Sequence, residues 1–183
     1  MLKADLHVHS RASYDAEGCV ESILERAKDV GLDAVAVTDH DKIKSSLRAV
    51  EIAPSYGLVG IPGVEVSTAN GHLLALGVEE IPEIGRPVAE TIDEVREMGG
   101  YAVVPHPFQK MRHGVGAVTE CDGFETYNSR LFTGIANRRA ERFASKNGLT
   151  PTGGSDAHTV GMVGQAYTLL GTDDDSVEGI LSA

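Results

Sequence analysis

Short apolar runs alternate along this chain with stretches whose apolar residues recur at helical spacing, and most of the runs carry a histidine or an acid at or near one end. That alternation constrains the fold more than any other feature. Consecutive strands joined through a helix must cross over and lie parallel, so the expected class is α/β with a largely parallel sheet. "LDAVAVTDH" (32–40) is the clearest run: nearly continuous apolar residues, then polar ones, as in a strand buried on both faces. "ADLHVHS", "LVGIPGVEVS", "HLLALGV", "YAVVPHP", "GFETYN", "LTPTGGSDAH" and "AYTLLGT" supply the other strands. Asn70-Gly71 marks a hairpin turn between the third and fourth runs. Helices are expected over Gly18–Val30, Lys42–Tyr56, Pro87–Met98 and from about Thr133 to Lys146, with a short one at the end.

The positions of the polar residues carry the functional reading. His7, His9, Asp39, His40, Glu65, His106, Asp156 and His158 all fall at or just beyond the ends of strand-like runs. In a (β/α) barrel the C-terminal rim is where several strands deliver site residues. The chain has 183 residues, whereas about 200 is the usual lower limit for the full eight-stranded barrel. A single domain over 1–183 is therefore expected, built as a distorted (β/α)7 TIM-like barrel.

Alternate residues of a strand share a face, so His7 and His9 point one way while Leu6 and Val8 point the other. Taken alone, such a pair reads equally as two strand histidines with ordinary hydrogen bonds. "GGSDAH" repeats the device with Asp156 and His158, and six of the seven histidines lie at strand ends or at the hairpin; only His113 sits in a polar loop. Two such pairs from opposite ends of one chain favour a multi-metal site.

"DLHVHS", "TDH", "GVEVS" with "HLLALG", "PHP" at 105–107 and "GSDAH" occur in the order and approximate spacing of the PHP family, named for polymerase and histidinol phosphatase. The chain resembles that family from Asp5 to His158. The resemblance implies a distorted seven-stranded barrel and up to three divalent ions. It implies His7, His9, Glu65 and Asp156 around one ion, Asp15, His40 and His158 around a second, and Glu65 bridging to a third held by His72 and His106. Asp15 lies in a loop and also reads as a carboxylate near a helix N-terminus. Six imidazoles and three carboxylates without a thiolate suit Zn, Mn or Fe better than Mg.

Such a centre would supply Lewis acidity and activate water for phosphoester hydrolysis, so that no nucleophilic side chain is expected. The expected activity is that of a phosphatase acting on a small phosphorylated metabolite or nucleotide, with two to three divalent ions. Asp39, His40 and His158 are the catalytic candidates, and Asp39 has an equal reading as a residue that orients His40 or a neighbouring ligand. Arg11, Arg112, His113, Asn128 and Arg130 fall in loops after strands and are candidates for binding phosphate or sugar. Arg138, Arg139 and Arg142 lie in a helical run and read as a solvated face.

Composition narrows the alternatives. A formal net charge of −11 argues against broad nucleic-acid binding, although bound cations would make one pocket locally positive. An exonuclease or oligonucleotide phosphoesterase is the second reading, but the chain has no Trp and few Phe and Tyr to stack bases, so nucleic acid is expected at most as a short oligonucleotide. A non-catalytic metal-binding module is the third, and the full set of ligand types speaks against it. A two-metal amidohydrolase shares the opening H-x-H but does not account for Glu65 with His72 and "GSDAH". No run approaches membrane-spanning length and no signal core opens the chain, so the expected location is cytoplasmic. Cys19 and Cys121 form no metal or redox motif and read as core or half-buried thiols.

Overall fold

The computed structural model describes residues 1–130 and 134–183. Among these residues nine strands, rather than the expected seven, are arranged in two sheets. The first has the order β3 (Val59–Ile61), β2 (Ala34–Val37), β1 (Leu2–Val8), β9 (Thr168–Leu170). The second has the order β4 (Gly63–Thr68), β5 (Gly71–Leu76), β6 (Tyr101–Val104), β7 (Gly123–Asn128), β8 (Pro151–Gly154). Parallel ladders join β1 to β2, β2 to β3, β6 to β7 and β7 to β8, while β5 runs antiparallel to both its neighbours. The helices are α1 (Val20–Asp29), α2 (Lys44–Ile52), α3 (Val88–Glu97), α4 (Ile135–Asn147) and α5 (Val177–Leu181). The expected start of the fourth helix at Thr133 lies outside the described residues.

The sheets do not close into the expected distorted barrel: among the described residues no continuous ladder runs from one sheet to the other. Among the described residues their ladder pairing is limited to two isolated parallel bridges, Val8 with Ala157 and His40 with Glu65. The cause lies in the backbone beyond the strand ends. Asp41, His106 and Asp156 take positive φ (51°, 30° and 50°), which turns the chain out of extended geometry and interrupts the ladder just where site residues are delivered. "LVGIPGVEVS" likewise splits into β3 and β4, in different sheets, because Pro62 has no N–H to donate to a ladder.

Three apolar clusters hold the layers together. One packs α1 and α2 on the first sheet through Ile23, Leu24, Ala49, Val35 and Val37. A second packs α3 and α4 on the second sheet through Ile92, Val95, Ala140, Leu73 and Phe124. The third draws on both sheets, with Leu6, Ala36, Ile61, Leu74, Leu76 and Val103, and Ile180 of α5 joins it. Each fully buried Leu, Ile or Phe contributes about 1.5–3 kcal/mol relative to exposure.

Strict alternation fails at one informative place. The β1–β2 register slips between Asp5 and Val8, so Leu6 joins the cluster shared by the sheets while Val8 joins the helix-facing one. That extra residue is a bulge, a device that re-aims side chains beside functional sites. His7 and His9 still converge.

Candidate metal centre

Glu65 is the hub. Val64 and Val66 take the helix-facing side of β4, which turns Glu65 to the opposite face, where it is buried. Its two oxygens lie 3.0–3.5 Å from five imidazoles: Oε1 from His72 Nδ1 (3.0 Å) and His106 Nε2 (3.1 Å), Oε2 from His40 Nδ1 (3.1 Å), His9 Nε2 (3.2 Å) and His7 Nε2 (3.5 Å). His7 and His9 approach each other through Nε2 at 3.2 Å. Asp156 Oδ1 lies 3.8, 3.6 and 3.3 Å from His7, His9 and His158. Asp15, from the loop after β1, reaches His158 Nε2 at 2.9 Å and His40 Nε2 at 3.7 Å. All nine candidate ligands therefore meet in one cluster. Although β5 is reversed, its first turn places His72 beside Ser67, so His72 reaches the same rim as the parallel strands.

Ligand orientation is set from behind. His9 Nδ1 faces the Ser13 hydroxyl at 3.1 Å, and that hydroxyl donates to Asp39 Oδ1 (2.8 Å) and accepts from the His40 N–H (3.1 Å). Asp39 spends its remaining capacity on the Ser10 N–H (2.7 Å) and hydroxyl (2.6 Å). It thus turns toward the 10–13 loop and acts on His9 and His40 through Ser13. His158 Nδ1 lies 2.9 Å from the Asp156 carbonyl, a partner that calls for N–H at Nδ1 and leaves Nε2 facing Asp15.

Of the substrate-binding candidates, Arg112, His113 and Arg130 line the mouth of this pocket, about 280 Å³ in volume. Arg112 Nη1 donates to Asp156 Oδ2 (2.8 Å), and Arg130 Nη1 lies 2.7 Å from His158 Nε2. The His113 ring lies tilted against His72, with centroids 5.0 Å apart. Asn128 is buried behind the ligands and donates to Asp156 Oδ2 (3.2 Å). Arg11 lies in a different cleft, with Cys19, Lys44 and Arg48. A larger cavity of about 650 Å³ lies between β7 and α4, yet among the described residues each group of ligand atoms has at least one member lining the smaller pocket and none lining the larger.

Sequence reasoning did not single out Glu125 or Asp5, both fully buried acids. Glu125 Oε1 contacts His7 Nδ1 at 3.1 Å. Asp5 accepts N–H groups of Ser155 (3.0 Å) and Gly164 (2.9 Å), tying β1 to the segment that carries Asp156 and His158. An acid inside a buried strand is the signal both offered.

Electrostatics follow from burial against partners. Burial pushes Asp5 up to about 6 against its backbone hydrogen bonds. Burial also opposes the charged form of Glu65, but His7 and the hydrogen bond with His106 override it and hold the carboxyl well below the usual range. Burial lowers His40 to about 4 and lowers His158, keeping both neutral near pH 7 as metal ligands must be. The donor set fits divalent ions on a structural observation. His72 Nδ1 is buried and makes no hydrogen bond although Glu65 Oε1 is 3.0 Å away. Nitrogen and oxygen stand side by side off the hydrogen-bond line, as ligands of a shared ion do.

Fold and site together define a mixed α/β protein with a clustered His/Asp/Glu centre able to hold metal. The chain belongs to the PHP family: the PHP domain matches residues 5–133 and the PHP-associated region residues 134–183. An uncharacterised protein of Methanocaldococcus jannaschii is 31% identical over 76% of this chain and 89% of its own length. The phosphoribosyl 1,2-cyclic phosphate 1,2-diphosphodiesterase of Eggerthella lenta is 38% identical over 42% of this chain and 31% of its own length. A two-domain Bacteroides vulgatus protein containing a predicted PHP-like metal-dependent phosphoesterase superposes with a TM-score of 0.73 at 23% identity, over 87% of this chain and 52% of that one. At that identity the likeness concerns the fold alone. No helix among the described residues is long and apolar enough to cross a membrane.

Proposed function

We propose that this chain hydrolyses a phosphate monoester of a small metabolite or nucleotide at a multinuclear metal centre. The observation that carries the reading is the meeting of five imidazoles on the two oxygens of Glu65. His7, His9, Glu65 and Asp156 would hold one ion, Asp15, His40 and His158 a second, and His72 and His106 a third shared with Glu65. Two to three ions of Zn, Mn or Fe suit these donors. Such ions supply Lewis acidity and acidify bound water. We read the two sheets as a distorted (β/α) barrel opened at two seams, with this centre at its C-terminal rim.

The chain's own residues then have separable tasks. Arg112 and Arg130 present guanidinium donors at the mouth, suited to the oxygens of a phosphate. Asp39 and Ser13 hold His9 and His40 in place. The described residues lining the pocket include no Ser, Thr or Cys, which favours water as nucleophile over a covalent intermediate on those side chains.

Phosphodiester hydrolysis is the second reading, favoured by the cyclic phosphodiesterase among the relatives. The test is metal content of chelator-free protein together with hydrolysis of p-nitrophenyl phosphate, bis(p-nitrophenyl) phosphate and a nucleotide panel, in the parent and in Arg130→Ala. Two to three metals per chain and monoester turnover with a raised KM in the variant support the proposal. Turnover of the diester alone moves the assignment to the second reading, and a metal-free, inactive chain overturns both.

A further inference from the structure

Glu125 is a buried carboxylate whose hydrogen bonds among the described residues go to His7, His106 and Asn128, and none of the tasks above uses it. It is 2% exposed and projects from β7. Oε1 lies 3.1 Å from His7 Nδ1. Oε2 accepts two donors, the His106 N–H at 2.7 Å and the Asn128 amide at 2.9 Å. The same Asn128 amide nitrogen reaches Asp156 Oδ2 at 3.2 Å. One carboxylate therefore touches His7 and His106 directly and Asp156 through one intervening side chain. His7, His106 and Asp156 are also one of the groups whose ligand atoms lie within 4.8 Å of one another. A second group, His9, His40 and His158, makes none of these contacts.

We propose that Glu125 is a positioning residue for the His7–His106–Asp156 side of the centre, fixing which ring nitrogen of His7 faces an incoming ion. The proposal rests on the metal-centre reading. A carboxylate can only accept, so at Nδ1 it selects the imidazole tautomer with N–H there and leaves the Nε2 lone pair turned toward Glu65 and Asp156. It also anchors the backbone of His106, whose φ of 30° is one that an L residue seldom adopts. The side chain has little freedom to do otherwise, since β8 passes so close that a Cβ on Gly154 would lie 2.6 Å from Oε1.

Glu125→Gln separates these tasks because an amide cannot satisfy all three partners. Two donors, from His106 and Asn128, converge on Oε2 and require the amide oxygen there. The amide NH2 then faces His7 Nδ1, which must become the acceptor and move its proton to Nε2, the nitrogen meant for the metal. The expected result in metal-free protein, recorded at a pH high enough to leave the His7 ring neutral, is a change in the His7 ring ¹⁵N shifts from the Nδ1–H to the Nε2–H pattern. In Zn²⁺ and Mn²⁺ titrations against a chromophoric chelator, one class of site should weaken by about 10–100-fold while another keeps parent affinity.

Unchanged His7 shifts with parent affinity at every site overturn the proposal. So does uniform weakening of all sites with a lowered Tm, which marks a merely structural residue. Glu125→Asp, which restores a carboxylate, should recover the Nδ1–H pattern, and failure to do so counts against the assignment. If Glu125→Gln does not fold, Asn128→Ala is titrated instead, with selective weakening of one class expected and uniform or absent weakening contrary. A parent chain that binds no metal overturns the metal-centre reading itself, whereas the ring shifts still report on Glu125.

Discussion

His158 Nε2 lies 2.9 Å from Asp15 Oδ2 although 143 residues separate them. The contact joins the first loop of the chain to the segment after β8 at the same pocket. His158→Ala and Asp15→Ala should each lose one metal equivalent and lower phosphoester turnover by at least about 100-fold, the scale expected for losing a metal or its ligand. Elemental analysis beside initial rates checks this, and a variant retaining full metal and full rate rules out the assigned role.

Asp156 links pH to stability in the metal-free chain. Burial pushes its carboxyl up, but His7, His106 and His9 outweigh burial and bring it from 3.8 down to about 2. A depressed folded value stabilises the fold above the unfolded value near 4, and that contribution is lost as pH falls from about 4 to about 2. The expected size is about 2 kcal/mol. Urea unfolding of parent and Asp156→Asn across that window should show a slope in the parent that is flatter in the variant; parallel curves would refute the linkage.

The two thiols should differ in reactivity. A hydrogen bond with Ser22 lowers the Cys19 thiol, while burial pushes Cys121 up to about 11. At pH 8 the thiolate fraction of Cys121 is then about 0.1%. Iodoacetamide should label Cys19 well ahead of Cys121 by peptide mass mapping, and Cys121 labelling should accelerate up to about pH 11. Equal rates at pH 8 would count against these environments.

Gly154→Ala tests how tightly β8 packs against the centre. The added Cβ would lie 2.6 Å from Glu125 Oε1 and 2.7 Å from His7 Cβ, so neighbours on two other strands must shift. A loss of about 1–3 kcal/mol is expected from this overpacking, with weaker metal uptake. An unchanged urea midpoint would show that the strand has slack.

Strand ends made the cluster legible before any coordinates. Each ligand type except Asp15 follows or opens an apolar run, and that placement alone carries His7, Glu65, His106 and Asp156 to one rim. Helix cores, the hairpin at Asn70-Gly71 and the strand over Gly123–Asn128 were equally legible, because local periodicity and turn chemistry decide them. Ladder closure was not, since it depends on left-handed backbone at Asp41, His106 and Asp156 that no residue type there announces. Nor was the turning of Asp39 onto Ser10 and Ser13, or the distance of Arg11 from the pocket. Those are set by which loop packs where, a long-range outcome that spacing does not encode.

The isolated bridges between the sheets fall at Val8–Ala157 and His40–Glu65. Both seams thus run past the ligand cluster, where one ion gripping His9 and His158, or His40 and Glu65, would span a gap the backbone crosses with a single bridge. Loading the centre would then act as a rivet between two half-shells. Amide protons along β1, β2, β4 and β8 should exchange more slowly with metal bound, making the site part of the molecule's mechanical frame as well as its chemistry.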